Sequence, residues 1–151
     1  MKAEEKAELA RDYFEKGYNC AQSVLLAFCD ETGLTEQEAA MLASSFGGGM
    51  GRMREVCGAV SSMLMILGIT NGYSDPDDKQ KKDAHYAKVQ QLAERFREKN
   101  HSIICRDLLE DVETTEGSVS EERTQDYYER RPCAAYVEDA ARLIAAELEE
   151  S

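Results

Sequence analysis

Apolar residues recur at helical spacing from one end of this chain to the other, and no run of strand length alternates apolar with polar side chains. That pattern predicts an all-α fold. Leu9, Ala10, Tyr13 and Phe14 give a first helix, from about Ala3 to Lys16, one apolar face, and Gly17 ends it. Asn19 with Gln22 three residues later makes a capping box for a second helix, which buries Val24, Leu25 and Phe28 and sets Cys20 in its first turn. Thr35 and Glu38 repeat the arrangement for a short helix through Ala40, Leu42 and Ala43. It stops where Phe46 meets Gly47, Gly48, Gly49 and Gly51, a loop.

The longest apolar stretch, Val56 to Ile69, spans fourteen residues, short of the ~18 that a bilayer crossing needs. It predicts a buried helix over about 54–70, the centre of the bundle. Turn residues from Asn71 to Pro76 lead into a long amphipathic helix, about Asp77 to Lys99, that buries Ala84, Val89, Leu92 and Phe96. Asn100 or Ser102 can cap a brief helix containing Cys105, Leu108 and Leu109. Ser118 with Glu121 reads as a further capping box ahead of Tyr127 and Tyr128, and Pro132 suits the first turn of a last helix that begins near Cys133. The expectation is a single domain over 1–151, a bundle of about seven to eight helices without repeats or linkers. A chain of this length can bury roughly 68–70% of its unfolded surface without a disulfide framework, so its five cysteines need another explanation.

Charge narrows the partners. Eighteen Lys and Arg stand against thirty Asp and Glu, a net charge of −12, which repels phosphate backbones and anionic lipid. Neither a nucleic acid nor a membrane partner is expected. The opening MKAEEKAELARDY lacks the apolar core and cleavage site of a secretory signal, so the expected location is a reducing cytoplasm.

Cys20, Cys105 and Cys133 each fall in the first turn of an expected helix, and Cys57 comes close to one. Unpaired amides and the helix dipole favour negative charge there, so such thiols ionise more readily and can act as nucleophiles or metal ligands. Cys29, beside Phe28 late in its helix, reads as a small core residue. The spacing matches neither a C-x-x-C pair nor a zinc finger, and buried, inert thiols stand as the alternative reading. The glycine run has two readings as well. Its amides, with Arg52 and Arg54, can approach an anion or a sulfur cluster, or the glycines simply turn the chain tightly. No strand precedes the run and no P-loop lysine follows, so a nucleotide loop lacks its setting. His85 and His101 have no ligand spacing and read as surface or helix-end residues.

Asn19-Cys20-Ala21-Gln22-Ser23-Val24, the run Gly47-Gly48-Gly49, Cys57-Gly58-Ala59, Cys105 ahead of Leu108-Leu109, and the late Cys133 together resemble the family of suspected redox-active proteins named for a C…GCAxxG…C…C pattern. The ordered likeness runs from about Gly17 to Tyr136. It implies a small helical domain whose four characteristic cysteines, Cys20, Cys57, Cys105 and Cys133, serve redox chemistry or hold a metal, with Gly47, Gly48, Gly49 and Gly58 beside any cofactor. A related helical region in split-Soret-type cytochromes is associated with an iron–sulfur centre, so a cluster or another thiolate-bound metal belongs among the expectations, as does none. No C-x-x-C-H sequence is present, so covalent haem is not implied. The chain departs from the pattern at Ser62, which stands where the motif ends in glycine and can bond back to a carbonyl one turn earlier. Cys29 is an extra thiol without a counterpart.

Two functions follow. One is a cytoplasmic redox protein working through thiol–disulfide exchange or a thiolate-held centre, with a redox partner protein. The other is a noncatalytic helical module with structural thiols that binds a partner or forms a homodimer.

Overall fold

Residues 2–150 are described by the computed structural model, and they form an all-α architecture with no strand among them. Helix α1 (Ala3–Glu15) leads into α2 (Cys20–Leu26), where the Asn19 side chain accepts from the Gln22 amide at 2.8 Å and the Gln22 side chain accepts from the Asn19 amide at 3.1 Å. That expected box fixes the start of α2 at Cys20. Helix α2 ends at Leu26 and a separate turn, α3 (Cys29–Thr32), follows. Cys29 is therefore not late in a continuous helix, as the sequence suggested. It opens a new turn, half-buried, and packs at the edge of the core. At the break the Nζ of buried Lys6 donates to the Ala27 carbonyl at 2.7 Å, and Phe28 leaves helical geometry.

Helix α4 (Glu36–Ala43) carries the second expected capping box, Thr35 with Glu38. The glycine run then makes α5 (Gly47–Met50), a single turn interrupted by left-handed Gly48 and Gly49. Helix α6 (Gly58–Asn71) lies at the centre, touching α2, the long α7 (Lys79–Asn100) and the terminal α10 (Cys133–Glu150). Ala59, Val60, Met63, Ile66 and Leu67 are buried on it, and each larger side chain contributes about 1.5–3 kcal/mol by leaving water. Helix α10 also lies along α1 in the most extensive helix pairing of the fold.

Between α7 and α10 stand two short helices, α8 (Cys105–Leu108) and α9 (Gln125–Arg130). Asn100 does not cap α8: it is the last residue of α7, and the cap position is held by Ile104. Ser102 accepts from the Ile104 amide at 3.0 Å and donates to Asp107 instead. Ser118 and Glu121 do not start a helix either. Thr124 caps α9 through the Tyr127 amide, because the Glu121 carboxylate is occupied by Arg130 and Arg131. Pro132 sits just before α10 rather than in its first turn, its carbonyl accepting from the Tyr136 amide at 3.3 Å. None of the described helices is long and apolar enough to cross a membrane.

Candidate functional site

Cys20 and Cys133 are the first helical residues of α2 and α10, Cys105 is the first of α8, and Cys57 is the residue that precedes α6. These four helix starts converge. Cys20, Cys57, Cys105 and Cys133 line one cavity together with Gly58, Leu108, Leu109 and Tyr136. Residues far apart in chain order become neighbours through two devices.

The first is a backbone bridge. Val56 and Ile104 pair as a lone antiparallel β-bridge, flanked by hydrogen bonds from the Cys57 amide to the Ile103 carbonyl at 2.8 Å and from the Cys105 amide to the Glu55 carbonyl at 2.6 Å. The bridge fastens the starts of α6 and α8 to each other and so sets Cys57 beside Cys105. An isolated bridge leaves no alternating run in the sequence, and this one was not anticipated.

The second is close packing on glycine. A Cβ on Gly58 would lie 2.7 Å from the Phe46 carbonyl oxygen and 3.1 Å from the Ala21 amide nitrogen, so glycine there lets α6 press against the start of α2. Gly49 plays the same part for α8: its φ is +72° and a Cβ would meet Cys105 Cβ at 2.6 Å. Ser62, the departure from the motif, is fully buried. Its hydroxyl does not bond back within α6, as the sequence suggested, but donates across to the Ala21 carbonyl at 2.6 Å. The extra atoms are thereby turned into an inter-helix bond beside Cys20.

The four thiols are electrostatically unequal. Hydrogen bonding with the Cys133 thiol pulls the pKa of Cys20 down to about 6 against the opposing effect of burial, helped by the Gly48 amide and the charge of Arg123. The Gly48 amide in the glycine turn is thus one of the groups that favour the Cys20 thiolate. Cys133 moves the opposite way, raised first by that same hydrogen bond and then by burial, so it is the proton-bearing member of the pair. Burial foremost, and then the charge on Cys20, pushes Cys57 up. Cys105 is raised by burial although Arg54 donates to its sulfur at 3.8 Å. A helix start alone therefore does not make a thiol acidic: three of the four are raised, Cys57 and Cys105 chiefly by desolvation and Cys133 chiefly by its hydrogen bond with Cys20. Cys29 does not line the cavity, and burial followed by the charge of Glu36 raises it too.

The cavity itself measures only about 10 Å³, room for about one water. In this arrangement it does not fit an iron–sulfur cluster, and no group of three or more His, Cys, Asp or Glu among the described residues is placed to hold a metal ion. Sulfur-to-sulfur chemistry needs no such space. Tyr136, which the sequence showed only as part of an apolar stripe, closes the cavity and donates its hydroxyl to the Leu108 carbonyl at 3.0 Å. Arg123 was missed altogether. It stands in a polar stretch, and stacking on Phe14 and Tyr127 together with hydrogen bonds to the Phe14 and Tyr18 carbonyls brings it near Cys20.

Comparison with curated proteins and with solved structures gives no match. A family model described as "Putative redox-active protein (C_GCAxxG_C_C)" matches residues 18–147, a span that holds all four cavity cysteines. The chain belongs to this C_GCAxxG_C_C redox-active protein family.

Proposed function

We propose that the protein is a thiol–disulfide redox protein in which Cys20 is the attacking thiolate and Cys133 the resolving thiol. The observation that carries this reading is that Cys20 and Cys133, the first residues of α2 and α10, meet in one cavity, and hydrogen bonding between them favours the thiolate at Cys20 and the proton at Cys133. At neutral pH such a pair offers a nucleophile and, in contact with it, a second thiol. The Cys20 thiolate attacks one sulfur of an oxidised disulfide, and the other sulfur leaves as a thiolate. Cys133 then gives up its proton and attacks Cys20 Sγ of the mixed disulfide, expelling the second thiolate. The partner disulfide is reduced to two thiols, one of which takes the Cys133 proton, while Cys20 and Cys133 are oxidised to a disulfide.

Cys57 and Cys105 have the supporting place. They are buried, protonated and positioned against the pair, where they form the apolar floor that keeps water from Cys20. Such chemistry suits a reducing cytoplasm and a redox partner protein. The test is peptide mapping after mild oxidation of the reduced protein. A Cys20–Cys133 link that disappears in Cys20→Ser and in Cys133→Ser, but survives Cys29→Ser, is the expected result. Absence of any internal disulfide, or one between other cysteines in the wild type, overturns the assignment.

A further inference from the structure

Beside Cys20 lies a second cavity, of about 150 Å³, into which Arg52, Arg54, Arg123 and Arg131 all face with Glu121 as its single carboxylate. Four cations gathered around one acid are unexpected on a chain whose net charge is −12. Their carbonyl contacts do not neutralise them. Arg52 donates to the carbonyls of Thr115 and Gly117, Arg54 to that of Thr115, and Arg123 to those of Phe14 and Tyr18. Arg131 is the sharper observation. It is only 8% exposed and pairs with Glu121, yet its Nε has no hydrogen-bond partner. Burying an arginine with a donor unmet is costly, and an anion entering the cavity offsets that cost.

Gly48 belongs to this cavity's wall, and its amide is the one that donates to the Cys20 sulfur. Asn19, which precedes Cys20, lines it too. Cys20 itself does not line this cavity, so the anionic group of a bound molecule would sit across the Asn19 and Gly48 wall from the attacking thiol, whose residue is the least buried of the four.

We infer that the arginine-lined cavity binds the anionic group of a small acidic disulfide, a carboxylate-bearing one, and thereby selects it as the substrate of Cys20. The inference rests on the thiol–disulfide reading and names its substrate class. The exchange is the one written above: one disulfide bond of the bound molecule is replaced by the Cys20–Cys133 bond and two acidic thiols leave.

Two alkylating probes of nearly equal size, anionic iodoacetate and neutral iodoacetamide, test it on the reduced wild-type chain, with rates read at Cys20 and at Cys29 by peptide mass. The overall negative charge favours the neutral reagent everywhere except at a local cationic site. Iodoacetate is expected to gain about tenfold on iodoacetamide at Cys20 relative to Cys29. Inorganic phosphate should cancel that gain where sodium chloride of equal ionic strength does not, and Arg52→Gln should lower the ratio at Cys20. A ratio at Cys20 equal to that at Cys29 and indifferent to phosphate overturns the anion site while leaving the thiol chemistry standing. A Cys20 that reacts with neither probe overturns both. Oxidation of Cys20 by glutathione disulfide faster than by the dicationic cystamine supports the carboxylate-bearing class, and the reverse order overturns it.

Discussion

Ser62 Oγ donates to the Ala21 carbonyl at 2.6 Å, joining the second turn of the central helix to the residue that follows Cys20. Both groups are buried, so the bond cannot be exchanged for water when it is lost. Ser62→Ala removes the donor and keeps most of the volume. It should destabilise the protein by about 0.5–1.5 kcal/mol in a denaturant titration. Ser62→Gly restores the residue type of the motif but adds backbone freedom in a helix, and should cost roughly 0.5–1 kcal/mol more. If the alanine variant is at least as stable as the wild type, the hydroxyl is a tolerated intrusion and not a bond that holds α2.

The reactivity of Cys20 should follow pH in a way that identifies its partner. With the thiol at about 6, alkylation at this position should rise through that pH and level off by neutrality. Removing the principal cause, in Cys133→Ala, should carry the midpoint up toward the ordinary thiol value of 9.0. The measurement is the rate of single-site alkylation against pH. A midpoint that stays in place without Cys133 would assign the acidity to Gly48 and Arg123 instead.

The same shift has a consequence for stability, and its sign is fixed. Folded Cys20 releases its proton at lower pH than unfolded Cys20, so between about 6 and 9.0 the unfolded state holds more of this proton. Its contribution to stability is therefore fully present above the unfolded value and lost as pH falls through the folded one. The difference in unfolding free energy between the reduced wild type and Cys20→Ser should grow in favour of the wild type from pH 6 to pH 9. Cys57 and Cys133 act oppositely, because both are raised in the fold. Above pH 9 their unfolded forms ionise first and stability should fall. A difference that is flat across the lower window would show that Cys20 is not an acidic thiol in the folded protein.

Much of this architecture was legible in the chain because its signals are local. Asn19 with Gln22 and Thr35 with Glu38 each name a helix start within four residues, and both form. The Val56 to Ile69 stretch, free of charge, had to be central. What failed were signals that another part of the chain overrides. Glu121 reads as a capping residue until Arg130 and Arg131 claim its carboxylate, and Cys29 reads as late in α2 although that helix ends at Leu26, where Lys6 reaches the Ala27 carbonyl, and Cys29 opens α3. At the site, the meeting of four cysteines could be expected only through likeness to a family, since the Val56–Ile104 bridge and the Gly58 contact depend on residues distant in sequence. The inequality of the thiols was not legible at all. Position at a helix start is shared by several of them, whereas desolvation depends on what packs above each one.

Glycines separate structural tightness from mere conformational need. Gly49 combines a φ of +72° with a would-be Cβ 2.6 Å from Cys105 Cβ and 2.8 Å from the Glu55 amide nitrogen. Alanine there must push apart the bridge that pairs α6 with α8, so Gly49→Ala should cost about 3 kcal/mol or more and disturb Cys105 alkylation. Gly117 shares the left-handed backbone, φ +86°, but has open space around it. Its alanine variant should lose only the conformational part, about 1–2 kcal/mol. Gly68 lies inside α6 with neither constraint, and Gly68→Ala should stabilise the protein by about 0.5–1 kcal/mol. Thermal unfolding of the three variants gives the order directly, and a Gly49→Ala protein no weaker than Gly117→Ala would mean that α5 does not press on Cys105.

Lys6 supplies the last test, on the far side of α2. Its Nζ is held between the Ala27 carbonyl at 2.7 Å and Glu31 at 2.8 Å, 4.7 Å from the centre of the Phe28 ring, with the side chain 2% exposed. Lys6→Ala opens a hole under Phe28 and strands the Ala27 carbonyl and the Glu31 carboxylate. Glu31 is partly exposed and recovers water, so the expected loss is about 3 kcal/mol, at the lower end for a broken buried pair. Lys6→Met keeps the packing and removes the charge, and should recover roughly half of that loss. If the break between α2 and α3 exists because Lys6 draws the Ala27 carbonyl outward, Lys6→Met should also slow amide exchange at residues 27–30, as the helix closes over the former break. Unchanged exchange there would place the cause of the break in Phe28 itself.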